Sequence, residues 1–339
     1  MKFKKIAALS TAVIMSASML VGCGNNKSKE NTDKSFKIGM VADIGGINDE
    51  SFNQSAWEGL QKAEKDFGIE VKVIESKQAS EYLQNMESLL DEDVDMVIGV
   101  GYTMKEDIEK QAKNYPDKQF VLIDETYDSI PENVTPILFR ENEAAYLTGL
   151  VAGKMTENNN VGFIGGIQTP VISRFEYGYK AGVKEANKDC NVNVQYAGTF
   201  SDAAKGKSIA NQMYGNGSDI ILAAAGGTGL GSIESAKEQN KYAIAVDRDQ
   251  SDLAPKNVLT SALKKVNVGV YDTVKEFIEG KLKGGQEKVY GLKEDGVGIP
   301  ETTKNLVPQN IIDYVNSMIE KIKNDEIKVP ATEEEYKSM

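Results

Sequence analysis

The sequence predicts an α/β protein of two similar lobes, each a parallel sheet flanked by helices, hinged as a clamshell. Three observations lead there. Short apolar runs alternate with amphipathic stretches at helical spacing, the rhythm of βαβ units and hence of parallel strands. That rhythm breaks at a turn-rich connection, 124–135, and then starts again. The roughly 300 residues beyond the N-terminal leader also exceed the size at which a single core usually keeps growing.

The first series opens with the strand Lys37-Ile-Gly-Met-Val-Ala42, followed by a helix over 50–65, the strand Val71-Lys-Val-Ile74 and a helix over 82–90. Met96-Val-Ile-Gly-Val100, a helix over 105–113 and Phe120-Val-Leu-Ile123 continue it. Past the connection, Pro136-Ile-Leu-Phe139 and a helix over 141–155 carry the chain into the second lobe. There Val161-Gly-Phe-Ile164, a helix over 174–187, a strand over 192–197, a helix over 203–214 and a strand over 220–223 repeat the pattern. A helix near 233–238 and the strand Ala243-Ile-Ala-Val246 complete it. The strand 258–261 and the helix after Val266 are read as the way back. Lobe 1 is thus expected over 36–140 with a return segment of about 262–290, and lobe 2 over 141–261 with a C-terminal segment of about 291–330.

Before the first strand, Lys2, Lys4 and Lys5 precede an apolar run that ends in Leu20-Val21-Gly22-Cys23. That is the form of a secretory leader, 1–22, closed by a bacterial lipobox in which the cysteine is acylated before cleavage. The expectation is a chain exported and anchored to the outer face of the cell membrane by lipid on Cys23, with 23–35 a polar tether. Losing the leader's three lysines takes the net charge from −12 to −15. Such a surface repels nucleic-acid phosphates, so no nucleic-acid partner is expected. With Cys23 lipidated, Cys190 is the one remaining thiol and no internal disulfide can form. Histidine is absent from the sequence, which removes the usual metal ligand and the usual neutral-pH proton shuttle. No metal, no cofactor and no catalytic residue is expected, and the protein is read as a monomer.

In open parallel sheets, ligands bind outside the carboxyl ends of the strands. The densest segment there is Asp43-Ile-Gly-Gly-Ile-Asn-Asp-Glu-Ser-Phe-Asn53. Asn48 and Asp49 in it are candidates for ligand contact or simply for capping the helix. Phe52 either continues the apolar face of that helix or offers a ring to the cleft. Asp124 and Asp247 each end an apolar strand, where a carboxylate accepts hydrogen bonds from ligand or caps a turn. Phe200, in Gly-Thr-Phe-Ser-Asp202, either stacks on a ligand or closes the strand before it. Gly226 and Gly227 form a glycine turn without a P-loop lysine, a weak phosphate cradle. Lys264 lies beyond the crossover strand, with Lys265 an equal alternative. Ser261 and Lys264 have Ser-x-x-Lys spacing, but the companion motifs of penicillin-binding enzymes are missing.

Gly46-Ile-Asn-Asp-Glu-Ser-Phe-Asn-Gln-Ser-Ala-Trp-Glu-Gly59 resembles the N-terminal signature of the basic membrane protein family, substrate-binding lipoproteins of ABC transporters that include purine nucleoside receptors. Phe139-Arg-Glu-Asn-Glu-Ala-Ala-Tyr-Leu-Thr-Gly149, Tyr177-Gly-Tyr-Lys-Ala-Gly182, Ala245-Val-Asp-Arg-Asp-Gln250 and Leu259-Thr-Ser-Ala-Leu-Lys264 extend the similarity over most of the chain. The resemblance implies a type I periplasmic-binding-protein-like clamshell that takes up a nucleoside between its lobes and presents it to a permease. By position it implies that Phe52 and Phe200 flank the base. Asn48, Asp49 and Asp124 would meet the base edges, while Asp247 and Lys264 hold the sugar with help from Gly226 and Gly227. The alternatives are a receptor for a free sugar or another small solute, and a nucleoside-processing enzyme using one of the carboxylates as acid or base.

Overall fold

The computed structural model describes residues 36–339. The leader 1–22, Cys23 and the tether to residue 35 lie outside the described residues. β1 (Lys37–Ala42), α1 (Phe52–Phe67), β2 (Glu70–Glu75), α2 (Tyr82–Asp91), β3 (Met96–Val100), α3 (Lys105–Asn114), β4 (Gln119–Ile123) and β5 (Val134–Phe139) make the first series. The second comprises α4 (Glu141–Met155), β6 (Asn160–Gly165), α5 (Pro170–Ala186), β7 (Asn191–Tyr196), α6 (Ala203–Gly215), β8 (Ile220–Ala224), α7 (Gly227–Gln239), β9 (Tyr242–Asp247) and β10 (Val258–Lys264). α8 (Val266–Ile278), β11 (Lys288–Tyr290), β12 (Val297–Gly298), α9 (Gln309–Lys323) and α10 (Glu333–Lys337) follow.

Two six-stranded sheets result, with orders β11-β5-β4-β3-β1-β2 and β12-β10-β9-β8-β6-β7. The orders match strand for strand, so β4 and β9 hold equivalent places in the two lobes. Every pairing is parallel except that of β12 with β10. The central strands β3 and β8 are buried throughout, as parallel strands covered on both faces must be. The chain passes between the sheets three times: from β5 into α4, from β10 into α8, and from β11 to β12. The Arg140 amide donates to the Tyr290 carbonyl at 3.0 Å and the Lys265 amide to the Gly296 carbonyl at 2.8 Å, which ties these crossings side by side.

Two local expectations are corrected. The strand expected at 258–261 to lead back runs on to Lys264 and pairs in parallel with β9, so it belongs to the second sheet and the return begins beyond it. The helix expected near 233–238 starts at Gly227, so the glycine run is its first turn rather than a separate loop. The glycines there serve packing. A Cβ on Gly231 would fall 1.8 Å from the Ala203 carbonyl oxygen, so only glycine lets α7 lie this close to α6.

α4 is buried on nearly all sides from Glu141 to Gly153, its acids gathered in the first turn. Its tightest neighbour is α5. A Cβ on Gly182 would sit 2.0 Å from the Tyr146 carbonyl oxygen, and one on Gly149 would sit 2.3 Å from that of Tyr179. The motifs at 139–149 and 177–182 therefore read physically as one helix crossing. Gly182→Ala is expected to destabilise the fold by about 1–3 kcal/mol, the usual cost of overpacking a filled site. Gly215→Ala at the end of α6, where an added Cβ meets nothing within 4 Å, is the control and should be neutral or slightly stabilising. Equal denaturation midpoints for the two variants would refute the close-packing account.

Candidate functional site: the cleft between the lobes

The carboxyl ends of both sheets face a cavity of about 650 Å³, counting the space open to solvent at its mouth. Asp49, Phe52, Asp124, Phe200, Gly226, Gly227, Asp247 and Lys264 all line it. Asn48 does not: it is exposed on the loop after β1, outside the lining. Lys264 and not Lys265 faces the cavity, and Lys265 turns outward to pair with Asp295 at 2.6 Å.

Asp49 spends its carboxylate on its own helix. It accepts from the amides of Ser51 (2.9 Å), Asn53 (2.9 Å) and Gln54 (3.1 Å) and from Asn53 Nδ2 (3.0 Å). Its four acceptor positions are thereby filled, the arrangement of the helix-capping alternative, while the residue still lines the cavity. Phe52 opens α1 directly beyond this cap and presents its ring to the cavity from lobe 1. Phe200 lines the cavity from lobe 2, its ring lying over Gly166, where an added Cβ would come within 2.2 Å of it. The Phe200 carbonyl accepts from the Thr228 amide at 3.1 Å, which locks it to the start of α7. Gly226 precedes that helix at φ +53, a left-handed conformation that glycine adopts without steric cost.

Asp124 and Asp247 occupy equivalent strand ends and share left-handed backbone, φ +73 and +65. Lys264 is 2 % exposed and is bonded to Asp124 Oδ2, with Glu141 Oε1 at 3.3 Å. Its ammonium also lies 4.7 Å from the centroid of the Phe52 ring. Desolvation lowers the Lys264 pKa, but Asp124 and Glu141 more than offset it, so the lysine stays charged. Burial raises Asp124, with Lys264 opposing. Its second oxygen, Oδ1, is buried and has no hydrogen-bond partner among the described residues. A buried acceptor left unmatched costs free energy, so the site calls for a ligand donor at that point.

Asp247 is different. Its Oδ2 takes the Ser51 hydroxyl from lobe 1, and burial pushes its pKa up to about 7 against the pull of Lys264 and Ser51. Lys264 opposes that rise without cancelling it, its ammonium being bonded to Asp124 and paired with Glu141. Residues not singled out as candidates also line the cavity, among them Asp43, Asn53, Tyr102, Thr169, Ile172 and Phe175. Burial lifts Asp43 to about 6, although its Oδ1 accepts from the Gly45 amide and Asn53 Nδ2, both at 2.8 Å. Asp43 follows β1 as Asp124 follows β4, so the strand-end rule could have found it.

The lobes are latched across the cleft mouth. Arg248 reaches Glu50 Oε2 at 2.9 Å and Glu58 Oε1 at 2.8 Å, and Gln250 Nε2 donates to the Glu50 carbonyl at 2.8 Å. The carboxylates are about half exposed, so each pair contributes only a fraction of a kcal/mol to about 1 kcal/mol. Arg248→Ala is expected to raise the radius of gyration of the ligand-free protein and weaken ligand affinity about two- to tenfold. Unchanged small-angle scattering would show the latch to be energetically idle.

The sequence model described as ABC transporter substrate-binding protein PnrA-like matches residues 36–333. The chain belongs to this family. The CD4+ T-cell-stimulating antigen of Listeria monocytogenes is 38 % identical, over 96 % of this chain and 99 % of its own length. The ABC transporter nucleoside-binding protein BmpA of Lactococcus lactis subsp. cremoris is also 38 % identical, over 87 % of this chain and 91 % of its own. A crystal structure of an ABC transporter solute-binding protein from Aeropyrum pernix K1 superposes with a TM-score of 0.82 at 26 % identity, covering 89 % of this chain and 96 % of that one. The PnrA-like chain is therefore a substrate-binding protein of an ABC transporter, with a small-molecule ligand and a permease as partner. The two-lobed α/β architecture expected of it is the one observed.

Proposed function

We propose that this PnrA-like protein binds a nucleoside, a purine nucleoside first, between its lobes and hands it to the permease, tethered at the outer membrane face by lipid on Cys23. The observation that carries the reading is the composition of the cavity: an aromatic from each lobe, Phe52 and Phe200, with acceptors from equivalent strand ends, Asp124 and Asp247. A base is flat, apolar on its faces and rich in donors at its edge, and a ribose carries paired hydroxyls. The rings suit the faces, the free Oδ1 of Asp124 suits a base N–H, and Asp247 suits a hydroxyl. The name of the Lactococcus lactis relative supports the same ligand class.

Calorimetry with inosine, adenosine and guanosine is expected to show saturable binding that free ribose does not compete. Competition by ribose would favour a sugar receptor. Release of hypoxanthine from inosine would make the protein an enzyme. Cys23→Ala should free the protein from the membrane fraction or leave it unprocessed, and unchanged detergent partitioning would end the lipoprotein reading.

A further inference from the structure

Behind Lys264 the buried charges continue. Arg174 Nε donates to Glu141 Oε2 at 2.7 Å and its Nη2 to Oε1 at 3.4 Å, while Glu141 Oε1 also faces Lys264 at 3.3 Å. Asp124, Lys264, Glu141 and Arg174 thus form one line of alternating charge from the cavity wall through the crossing into α4 and onto α5. Glu141 is fully buried and Arg174 is 24 % exposed. Neither lines the cavity, and Arg174 instead borders two surface grooves, one of which shares Thr169 with the cavity.

We propose that Glu141 and Arg174 are positioning residues for the ligand site, clamping Lys264 from behind and balancing its charge so that Asp124 and Asp247 meet the ligand as acceptors. Lys264 donates to Asp124, and its charge is paired with Glu141 Oε1 at 3.3 Å, so both acids draw the ammonium to their side of the cavity. The Phe52 and Phe139 rings, with centroids 4.7 and 5.5 Å from its nitrogen, narrow its freedom further. Glu141 is the first residue of α4, where the positive end of the helix favours an acid. Burial works against its charge, but Arg174 and then Lys264 more than offset that and hold it below the usual carboxylate range. Two acids and two bases cancel, and the cavity receives Lys264 without surplus charge behind it.

The groups facing Asp247 are the Ser51 hydroxyl, Lys264, Asp49 and Asp124. Arg248 and Asp249 in its own loop are engaged by Glu50 and Glu58 and by Thr302. Neutralising Glu141 leaves a net positive charge behind Lys264, which favours the ionised form of Asp247. Neutralising Arg174 leaves a net negative charge, which disfavours it. A role in packing alone gives no such reversal of sign.

The test measures, from pH 5 to 9, the melting temperature of the ligand-free protein and its affinity for inosine. The proteins are wild type, Glu141→Gln, Arg174→Gln, the double variant and Arg174→Lys. The titration midpoint should fall by about one pH unit in Glu141→Gln, rise by about as much in Arg174→Gln, and return in the double variant. Arg174→Lys, which keeps the charge, should titrate like wild type. At pH 7 Arg174→Gln should bind inosine about fivefold more weakly. Shifts of one sign, no shifts, or a double variant no nearer wild type would overturn the proposal. If Glu141→Gln does not fold, the upward shift in Arg174→Gln and its absence in Arg174→Lys decide alone. The inference rests on the nucleoside reading only for its ligand: a wild type that binds no nucleoside refutes that reading, while the ligand-free titration still judges this one.

Discussion

Lys264→Met is expected to lower the melting temperature by about 10 °C and to abolish ligand retention. Lys264 is enclosed, bonded to Asp124 and close to Glu141, and its charge opposes the burial that raises the pKa of each of those acids. Methionine fills much of the same volume, so the loss is electrostatic rather than a cavity. Removing one partner from a buried ionic group costs about 3–5 kcal/mol, because a charge or its proton must be accommodated without compensation. Against a typical total of about 5–15 kcal/mol this is large, and for a chain of this size each kcal/mol moves the midpoint by about 2–4 °C. Affinity should fall by more than about 100-fold, since the Asp124 acceptor is then protonated or repelled from its place. A variant that melts with wild type would show that desolvation of the group cancels its Coulombic attraction.

The second large effect is that of pH on ligand affinity through Asp247. In the ligand-free protein its pKa stands near 7, so the proton is held more tightly in the folded chain than in the unfolded one, where an aspartate titrates near 4. Its neutral form is the favoured one: the penalty for its charge is fully present above about pH 7 and is relieved as the pH falls from there toward 4. A ligand hydroxyl that must donate to the ionised carboxylate reverses the preference. Affinity should weaken as the pH falls below 7, approaching a tenfold loss per unit and reaching about 50-fold at pH 5 relative to pH 7, and binding near neutrality should release about half a proton, measurable by calorimetry in buffers of different ionisation enthalpy. Asp247→Asn should flatten this dependence and weaken binding at pH 8 by about 10- to 150-fold, the loss of a hydrogen bond to a charged group. A 2′-deoxynucleoside should lose less by that change than a ribonucleoside. A flat wild-type profile from pH 5 to 8 would assign Asp247 to the turn alone.

Most of the architecture was legible because it rests on local patterning. Apolar runs such as 96–100 and 220–224 can hardly be anything but buried strands, and their carboxyl ends are where Asp124, Asp247 and the Gly226 turn were sought. The onset of α7 was hidden because Gly227, Gly229 and Gly231 break the helical pattern, and only the approach of α6 explains them. Asp49 was ambiguous for a related reason, since one residue type both caps helices and binds ligands, and the amides it accepts from belong to Ser51, Asn53 and Gln54 at the start of the helix. The partner of Lys264 lies 140 positions away, a pairing that no local pattern encodes. Glu141 and Arg174 sit inside helical stretches where a charge ordinarily means a solvated face, and only the crossing of α4 with α5 makes them interior.

The left-handed backbone at Asp124 and Asp247 narrows the paths by which this site can diverge. At such φ values glycine, asparagine and aspartate are readily tolerated, and branched or bulky replacements are strained before they meet any ligand. Aspartate and asparagine codons differ by a single base. Drift at either position is therefore channelled into a swap that keeps the shape of the side chain and exchanges an acceptor oxygen for a donor amide. A receptor built this way changes its ligand preference in discrete steps, by inverting one hydrogen bond at a time while its scaffold stays intact.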